Sequence, residues 1–168
     1  MTACFFVESG SKFLFWFFLP ATLFWLFAFL ALISYPQCEI FFRSRYFRLV
    51  IGMLLLIFAW LAFSYLRYQS QGSFWVLYMV AVVAAADVGA YFFGRTFGRI
   101  KLAYQLSPGK SWEGLAGGLL SSQLLVAIMV GFNAAFFSLE LPSLSLLLLV
   151  TLFIAVVSVL GDLFESLL

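Results

Sequence analysis

Long uncharged apolar runs constrain what this sequence can fold into more than any other feature. The first run, residues 13–34, contains no charged residue, and about 20 apolar residues are enough for a helix to cross a bilayer. Four further runs lie at residues 49–66, 73–93, 115–139 and 143–161. With 65% hydrophobic and 10% charged residues, the chain has more apolar surface than a soluble core of this size can bury. The sequence therefore predicts an all-α, polytopic transmembrane helical bundle of about five spanning helices, forming one membrane domain over residues 1–168.

The charged residues between the runs indicate how the chain is oriented. The first and third connectors are rich in Arg and Lys, whereas the second contains only Arg67 and the fourth only Glu140. Cytoplasmic loops of membrane proteins carry an excess of Arg and Lys. We therefore expect the first and third connectors, and the end of the last helix, to lie on the cytoplasmic side. The net charge of +2 is too small to indicate a nucleic-acid partner.

The absence of histidine limits the chemistry that this chain can perform. It excludes a His general base, a Ser-His triad and His metal ligands, so acid–base or metal chemistry must rest on seven acidic residues. One of them, Asp87, lies within the third apolar run. A carboxylate there is costly unless it faces the bundle interior, a cavity or a partner. Asp87 is either a site carboxylate or a residue near the cytoplasmic end that reaches water or Arg95.

A second pair of acidic residues follows the last apolar run. Asp162 and Glu165 are three residues apart, which places them on the same face of a helix. Carboxylates are typical ligands of Mg²⁺, which usually keeps waters and substrate phosphates in its remaining positions. The spacing alone leaves two interpretations open, a metal-binding pair or the polar end of a helix that has left the bilayer.

The third connector contains Ser-Pro-Gly-Lys-Ser-Trp at residues 107–112, which is similar to the end of a phosphate-binding P-loop. That pattern requires a glycine at position 104, where Tyr104 stands, and a preceding strand, so we reject it. We predict instead a turn at Ser107-Pro108, followed by a helix whose open N-terminal amides attract anions. The basic residues nearby are Arg95, Arg99, Lys101 and Lys110. They form either a phosphate-binding rim or an ordinary set of cytoplasmic charges.

Three motifs in combination resemble those of the phosphatidate cytidylyltransferases, the bacterial CDP-diacylglycerol synthases. They are the intramembrane ADVGAYFFG, the connector SPGKSWEG and the final GDLFES, and the resemblance covers residues 48–168. It implies a multi-pass protein of the bacterial inner membrane that condenses CTP with phosphatidate, with Mg²⁺ as cofactor and the site at the cytoplasmic face. The alternatives are a related CTP-dependent lipid enzyme such as a polyprenol kinase, and a transporter or non-catalytic membrane protein that uses Asp87 as a coupling residue.

The resemblance also assigns roles to individual residues. The predicted catalytic carboxylates are Asp162, Glu165 and Asp87, and the first two are the predicted Mg²⁺ ligands. The matching motif residues Ser107, Lys110 and Ser111 are the predicted phosphate or nucleotide contacts. From the basic rim of the connector we add Lys101 and Arg95 as predicted substrate contacts. We expect CTP, phosphatidate and the lipid bilayer as partners, expect no nucleic acid, and leave a homo-oligomer open.

The two ends of the chain depart from the family pattern. The family's C-terminal signature, K-R-x(4)-K-D followed by H-G-G-x-x-D-R-x-D, is expected directly after GDLFESLL, whereas this sequence ends at Leu168. The residues before about Tyr35 do not resemble the usual start of the family. We therefore expect an incomplete chain with little activity by itself.

Overall fold

The computed structural model describes residues 19–35, 42–104, 106–134 and 140–168. Helices dominate the described residues, and a two-stranded antiparallel sheet lies between two of them. The elements in chain order are α1 (Leu19–Ile33), α2 (Arg45–Tyr68), α3 (Gly72–Phe97), β1 (Lys101–Ala103), β2 (Ser107–Ser111), α4 (Trp112–Phe132) and α5 (Leu144–Glu165).

Four helices, α2 to α5, are long and apolar enough to cross a membrane, as judged by length and composition. They coincide with four of the predicted apolar runs, which confirms the polytopic helical bundle. The described part of the first run forms α1, which is shorter, and residues 13–18 of that run lie outside the described residues. Helix α2 begins before its predicted apolar run, at Arg45, and helix α3 continues beyond its run to Phe97. Both helices therefore include residues of the polar connectors.

The chain divides into two compact units, residues 1–59 together with 167–168, and residues 60–166. In the first unit, α1 and the first part of α2 contact each other through aromatic rings, since the centroids of Phe24 and Phe58 are 5.6 Å apart. The second unit contains the rest of α2, the sheet and helices α3 to α5. All the predicted site residues belong to this second unit.

Small residues allow α3 and α4 to pack closely in the second unit. A Cβ atom on Gly118 would lie 2.6 Å from the carbonyl oxygen of Ala86, and one on Gly114 would lie 2.9 Å from the carbonyl oxygen of Ala90. Helices in membranes commonly approach each other through small residues of this kind. Gly94 also adjoins Gly114, so the polar end of α3 lies beside the beginning of α4.

Hydrogen bonds attach α5 to both of these helices. The buried hydroxyl groups of Tyr78 in α3 and Thr151 in α5 are 2.6 Å apart, and Tyr78 also bonds to the carbonyl oxygen of Leu147. From α4, Gln123 Nε2 donates to the carbonyl oxygen of Leu148 at 3.1 Å. Such bonds between spanning helices are each worth roughly 0.6–2 kcal/mol. They fix α5 against α3 and α4, and with it the position of its polar end.

The chain between α3 and α4 forms a β-hairpin, which the sequence analysis did not predict. Strands β1 and β2 pair antiparallel, with Lys101 opposite Ser111 and Ala103 opposite Ser107. The predicted turn at Ser107-Pro108 is wrong, because β2 begins at Ser107 and the turn precedes it. Pro108 is tolerated in β2 because each strand of a two-stranded sheet is an edge strand, which has backbone N–H groups that need no partner in the sheet.

Candidate functional site

A cavity of about 240 Å³ lies between α3, the hairpin, α4 and α5. Its walls include Asp87 and Tyr91 from α3, Lys110 and Ser111 from β2, and Asp162 from α5. Four residues that the sequence predicted for the site therefore share one cavity, although the first and the last are separated by most of the second unit. The close contact of α3 with α4 and the polar attachment of α5 bring them together.

Lys110 and Asp162 form an ion pair across this cavity. Lys110 Nζ is 3.1 Å from Asp162 Oδ2, and the two residues are 52 positions apart in sequence. The side chain of Lys110 is 26% exposed and that of Asp162 is 51% exposed. A pair this accessible contributes only about 0–1 kcal/mol to stability. Both charges are therefore available to ligands, Lys110 to an anion and Asp162 to a cation.

Asp87 contributes a second carboxylate to the cavity. It makes no hydrogen bond or ion pair with any other residue that the structure describes. The interpretation in which Asp87 reaches Arg95 does not hold, because eight residues of helix separate the two by about 12 Å along the axis. Arg95 Nη1 instead donates to Tyr91 Oη at 2.7 Å, and its guanidinium carbon is 5.9 Å from the centroid of that ring.

Ser111 lines the cavity and also caps helix α4. Its side-chain oxygen accepts a hydrogen bond from the N–H of Gly114 at 3.1 Å, and the side chain is buried. The N–H of Trp112 donates to the carbonyl oxygen of Ile100 at 3.0 Å. The prediction of open amides at this helix start is therefore wrong for Trp112 and Gly114, because capping and the hairpin use them. The Ser111 hydroxyl retains its own hydrogen as a donor.

The other predicted site residues do not line the cavity. They are Ser107, Lys101, Arg95 and Glu165. Arg95 contacts the cavity wall through Tyr91, whereas Glu165 lies almost one turn beyond Asp162 and is exposed. Among the described residues no three Asp, Glu, Cys or His side chains form a group that could hold a metal ion. The roles predicted for these four residues stay predictions.

Glu113 is a polar residue beside the site that the sequence analysis did not single out. Both of its carboxylate oxygens accept from the N–H of Ile100, at 3.1 and 3.3 Å. An acidic residue in the first turn of a helix is common, because it interacts favourably with the helix dipole. This position in the first turn is the feature of the sequence that could have drawn attention to Glu113. Its partner lies 13 positions earlier in the sequence, which no local pattern indicates.

Comparisons with known proteins identify relatives of this chain. The model of a family described as "Cytidylyltransferase family" matches residues 1–168, and so includes the residues before 48 that the motif-based resemblance did not cover. The phosphatidate cytidylyltransferase of Pseudomonas aeruginosa is 37% identical over 148 residues, which cover 88% of this chain and 53% of that protein.

Two further relatives are also phosphatidate cytidylyltransferases. That of Haemophilus influenzae is 45% identical over 98 residues, or 57% of this chain and 33% of that protein. That of Bacillus subtilis is 38% identical over 98 residues, or 58% of this chain and 35% of that protein. The matched part of this chain thus corresponds to between a third and about half of the length of these relatives. No solved structure matches the chain.

Proposed function

This chain belongs to the cytidylyltransferase family, and from this premise we propose that it provides the active site of a phosphatidate cytidylyltransferase. The reaction joins CTP and phosphatidate to give CDP-diacylglycerol and diphosphate. One observation carries the proposal: Asp87, Lys110 and Asp162 come from three separate motifs and line a single cavity. The printed names of the relatives support the choice of substrates.

The proposed reaction asks the protein mainly for placement and for neutralisation of charge. A phosphate oxygen of phosphatidate forms a bond to the α-phosphorus of CTP, the bond from that phosphorus to the bridging oxygen breaks, and diphosphate leaves. Reactions of this class depend on positioning and on electrostatic stabilisation of the phosphate oxygens. Lys110 supplies a positive charge and Ser111 a hydroxyl donor on the cavity wall. We assign both residues to phosphate oxygens of the substrates.

We propose Mg²⁺ as the cofactor of this site. The donor chemistry fits, because Asp87 and Asp162 present carboxylates to one cavity, and Mg²⁺ is usually held by one or two carboxylates together with substrate phosphates and waters. Glu165, almost one turn beyond Asp162, would have to reach the ion from outside the cavity wall. When bound, Mg²⁺ neutralises negative charge on the phosphates. In its absence, the ammonium group of Lys110 supplies the positive charge next to Asp162.

We further propose that the site opens at the cytoplasmic face of the bacterial inner membrane. The hairpin belongs to a connector rich in Arg and Lys, which is the type of connector that membrane proteins retain in the cytoplasm. Helices α3, α4 and α5 are all suited to cross the bilayer, and the cavity lies where α3 ends and α4 begins. A nucleotide would enter from the aqueous side, and a lipid phosphate from the headgroup layer.

The experiment uses the complete reading frame that contains this chain, expressed in membranes and supplied with labelled CTP, phosphatidate and Mg²⁺. We expect CDP-diacylglycerol and diphosphate as products. Asp162→Asn should reduce product formation by about 100-fold or more, since it removes an electrostatic contribution to phosphate chemistry. Glu140→Gln is the matched control, because Glu140 lies in the connector before α5 and not in the cavity. It should retain native activity.

Three outcomes would contradict parts of this proposal. The absence of product from a well-expressed complete protein would refute the activity. Transfer of a phosphoryl group from CTP to a polyprenol, with no reaction of phosphatidate, would show that the lipid acceptor is a different one. Full activity of Asp162→Asn would remove Asp162 from the site.

A further inference from the structure

Ile100 is held by the first two residues of helix α4. Its N–H donates to both carboxylate oxygens of Glu113, at 3.1 and 3.3 Å, and its carbonyl oxygen accepts from the N–H of Trp112 at 3.0 Å. Because Ile100 directly precedes β1, these bonds fasten the base of the hairpin to α4.

The hairpin depends on contacts outside its own two strands. Strand β1 has three residues and β2 has five, and the register between them shifts between Lys101 and Ala103. An isolated two-stranded hairpin is only marginally stable, so a short and irregular one depends on contacts outside its own ladder. The hydrogen bonds of Ile100 are such contacts. The bond to Glu113 depends on a side-chain carboxylate, which a backbone group of α4 cannot replace.

The hairpin carries the charge that faces Asp162. Lys110 is the last residue of β2 before Ser111, and its ammonium group reaches Asp162 across the cavity at 3.1 Å. A lysine side chain is flexible, so the backbone of β2 determines where its charge can lie. Glu113 itself is absent from the cavity wall, and it therefore has no direct path to a ligand in the cavity.

We propose that Glu113 is a positioning residue, which holds the hairpin through Ile100 so that Lys110 remains in the cavity opposite Asp162. This inference rests on the proposed function for its kinetic consequences, but the attachment of the hairpin is independent of it. The carboxylate accepts from the uncharged backbone N–H of Ile100, so the positioning role requires an acceptor oxygen at the correct reach. The negative charge of Glu113, which lies near Arg99, would act separately.

Three variants of Glu113 distinguish the reach of its side chain from its negative charge. Glu113→Gln keeps one acceptor oxygen at the same distance from the backbone and loses the charge. Glu113→Asp keeps the charge near the helix N-terminus but withdraws the carboxylate by one methylene, and Glu113→Ala removes both. We expect the Gln variant to retain most of the native kcat/KM for CTP, and the Asp and Ala variants to lose about 10- to 100-fold, as misplacement by about 1 Å does in other enzymes. A helix-dipole role would instead favour Asp over Gln.

A double-mutant cycle tests whether Glu113 acts through Lys110. In the complete protein, Glu113→Ala is combined with Lys110→Met, and turnover of CTP is measured for both single variants and for the pair. If Glu113 serves to place Lys110, its replacement should cost less than about twofold once the ammonium group is gone, because the two effects are then not additive. The same loss in both backgrounds would show a general structural role and overturn the positioning of Lys110.

A second measurement does not depend on activity. A nitroxide label is attached at Tyr104→Cys, an exposed position at the hairpin turn, in a protein whose native Cys4 and Cys38 are replaced by alanine. In lipid vesicles we expect the spectrum to show a more mobile label in Glu113→Ala and in Glu113→Asp than in Glu113→Gln. Equal mobility in all variants would refute the attachment of the hairpin. If CTP were never turned over, the proposed function would fail while this measurement still decided the attachment.

Discussion

Replacement of Gly118 by alanine tests whether α3 and α4 pack as closely as the structure indicates. A Cβ atom at this position would lie 2.6 Å from the carbonyl oxygen of Ala86 and 3.2 Å from Cβ of Ala90. The first distance is several tenths of an ångström too short for a carbon–oxygen contact, so the two helices would have to separate. Overpacking of this kind costs about 1–3 kcal/mol, whereas alanine gains about 1 kcal/mol over glycine inside a helix.

Gly131 provides a matched control on the same helix. Among the described residues, a Cβ atom there would meet nothing within 4 Å outside its own helix backbone, so Gly131→Ala should receive the helical gain alone. The difference between the two variants cancels this gain and leaves the steric cost of about 1–3 kcal/mol. For a chain of this length, each kcal/mol corresponds to roughly 2–4 °C in melting temperature. We therefore expect Gly118→Ala to melt roughly 2–12 °C below Gly131→Ala.

The measurement is thermal unfolding of both variants in a mild detergent, followed by circular dichroism of the helices. Equal melting temperatures would show that α3 and α4 are farther apart than the structure has them. That result would also affect the site, because Ala90 and Gly114 belong to the cavity wall and to the same helix contact. A looser contact would move Asp87 away from the hairpin.

Three further changes probe polar groups of the second unit, each followed by unfolding in detergent. Lys110→Met removes an exposed ion pair with Asp162 and should change stability by less than about 1 kcal/mol, while the complete protein should turn CTP over more slowly but still measurably. Tyr78→Phe removes a buried hydroxyl group with two hydrogen-bond partners and should destabilise by about 0.5–1.5 kcal/mol. Gln123→Leu loses the bond to Leu148 but also removes an amide oxygen that is buried without a partner among the described residues, so it should remain within about 1 kcal/mol of the native protein.

The spanning helices could be predicted from the sequence because a bilayer imposes a simple requirement on length and apolarity. The hairpin could not, since its strands are short and one of them contains Pro108 and Gly109. Pairing in a sheet depends on contacts between separate segments, which the composition of either segment does not reveal. The same limit applies to Glu113, whose position in the first turn is common, whereas its bond to Ile100 depends on where the hairpin lies.

The site residues could be predicted one by one, but their arrangement could not. The resemblance selected Asp87, Lys110 and Asp162 by their motifs, but their meeting in one cavity depends on how α3, α4 and α5 pack. Ser111 shows why residue type alone does not decide a role. A serine at this position was predicted to contact substrate, and the structure uses its oxygen to cap α4. Both roles are compatible, because one hydroxyl group can accept from an amide and donate to a ligand.

The polar groups around the cavity fall into two kinds. The side chains of Glu113 and Ser111 accept hydrogen bonds from the backbone, and these bonds fix the hairpin and the start of α4. Asp87 makes no hydrogen bond or ion pair with another described residue, and the partner of Lys110 is the half-exposed Asp162.

Separating an exposed pair such as Lys110 and Asp162 costs about 1 kcal/mol or less, so a phosphate and a cation can replace the two partners at little cost. The cap that Ser111 provides would lose more, because it is buried and breaking it leaves the N–H of Gly114 without an acceptor. The arrangement therefore keeps the walls of the cavity fixed while leaving its charges free to exchange partners, as the proposed binding of a metal-bound nucleotide would require.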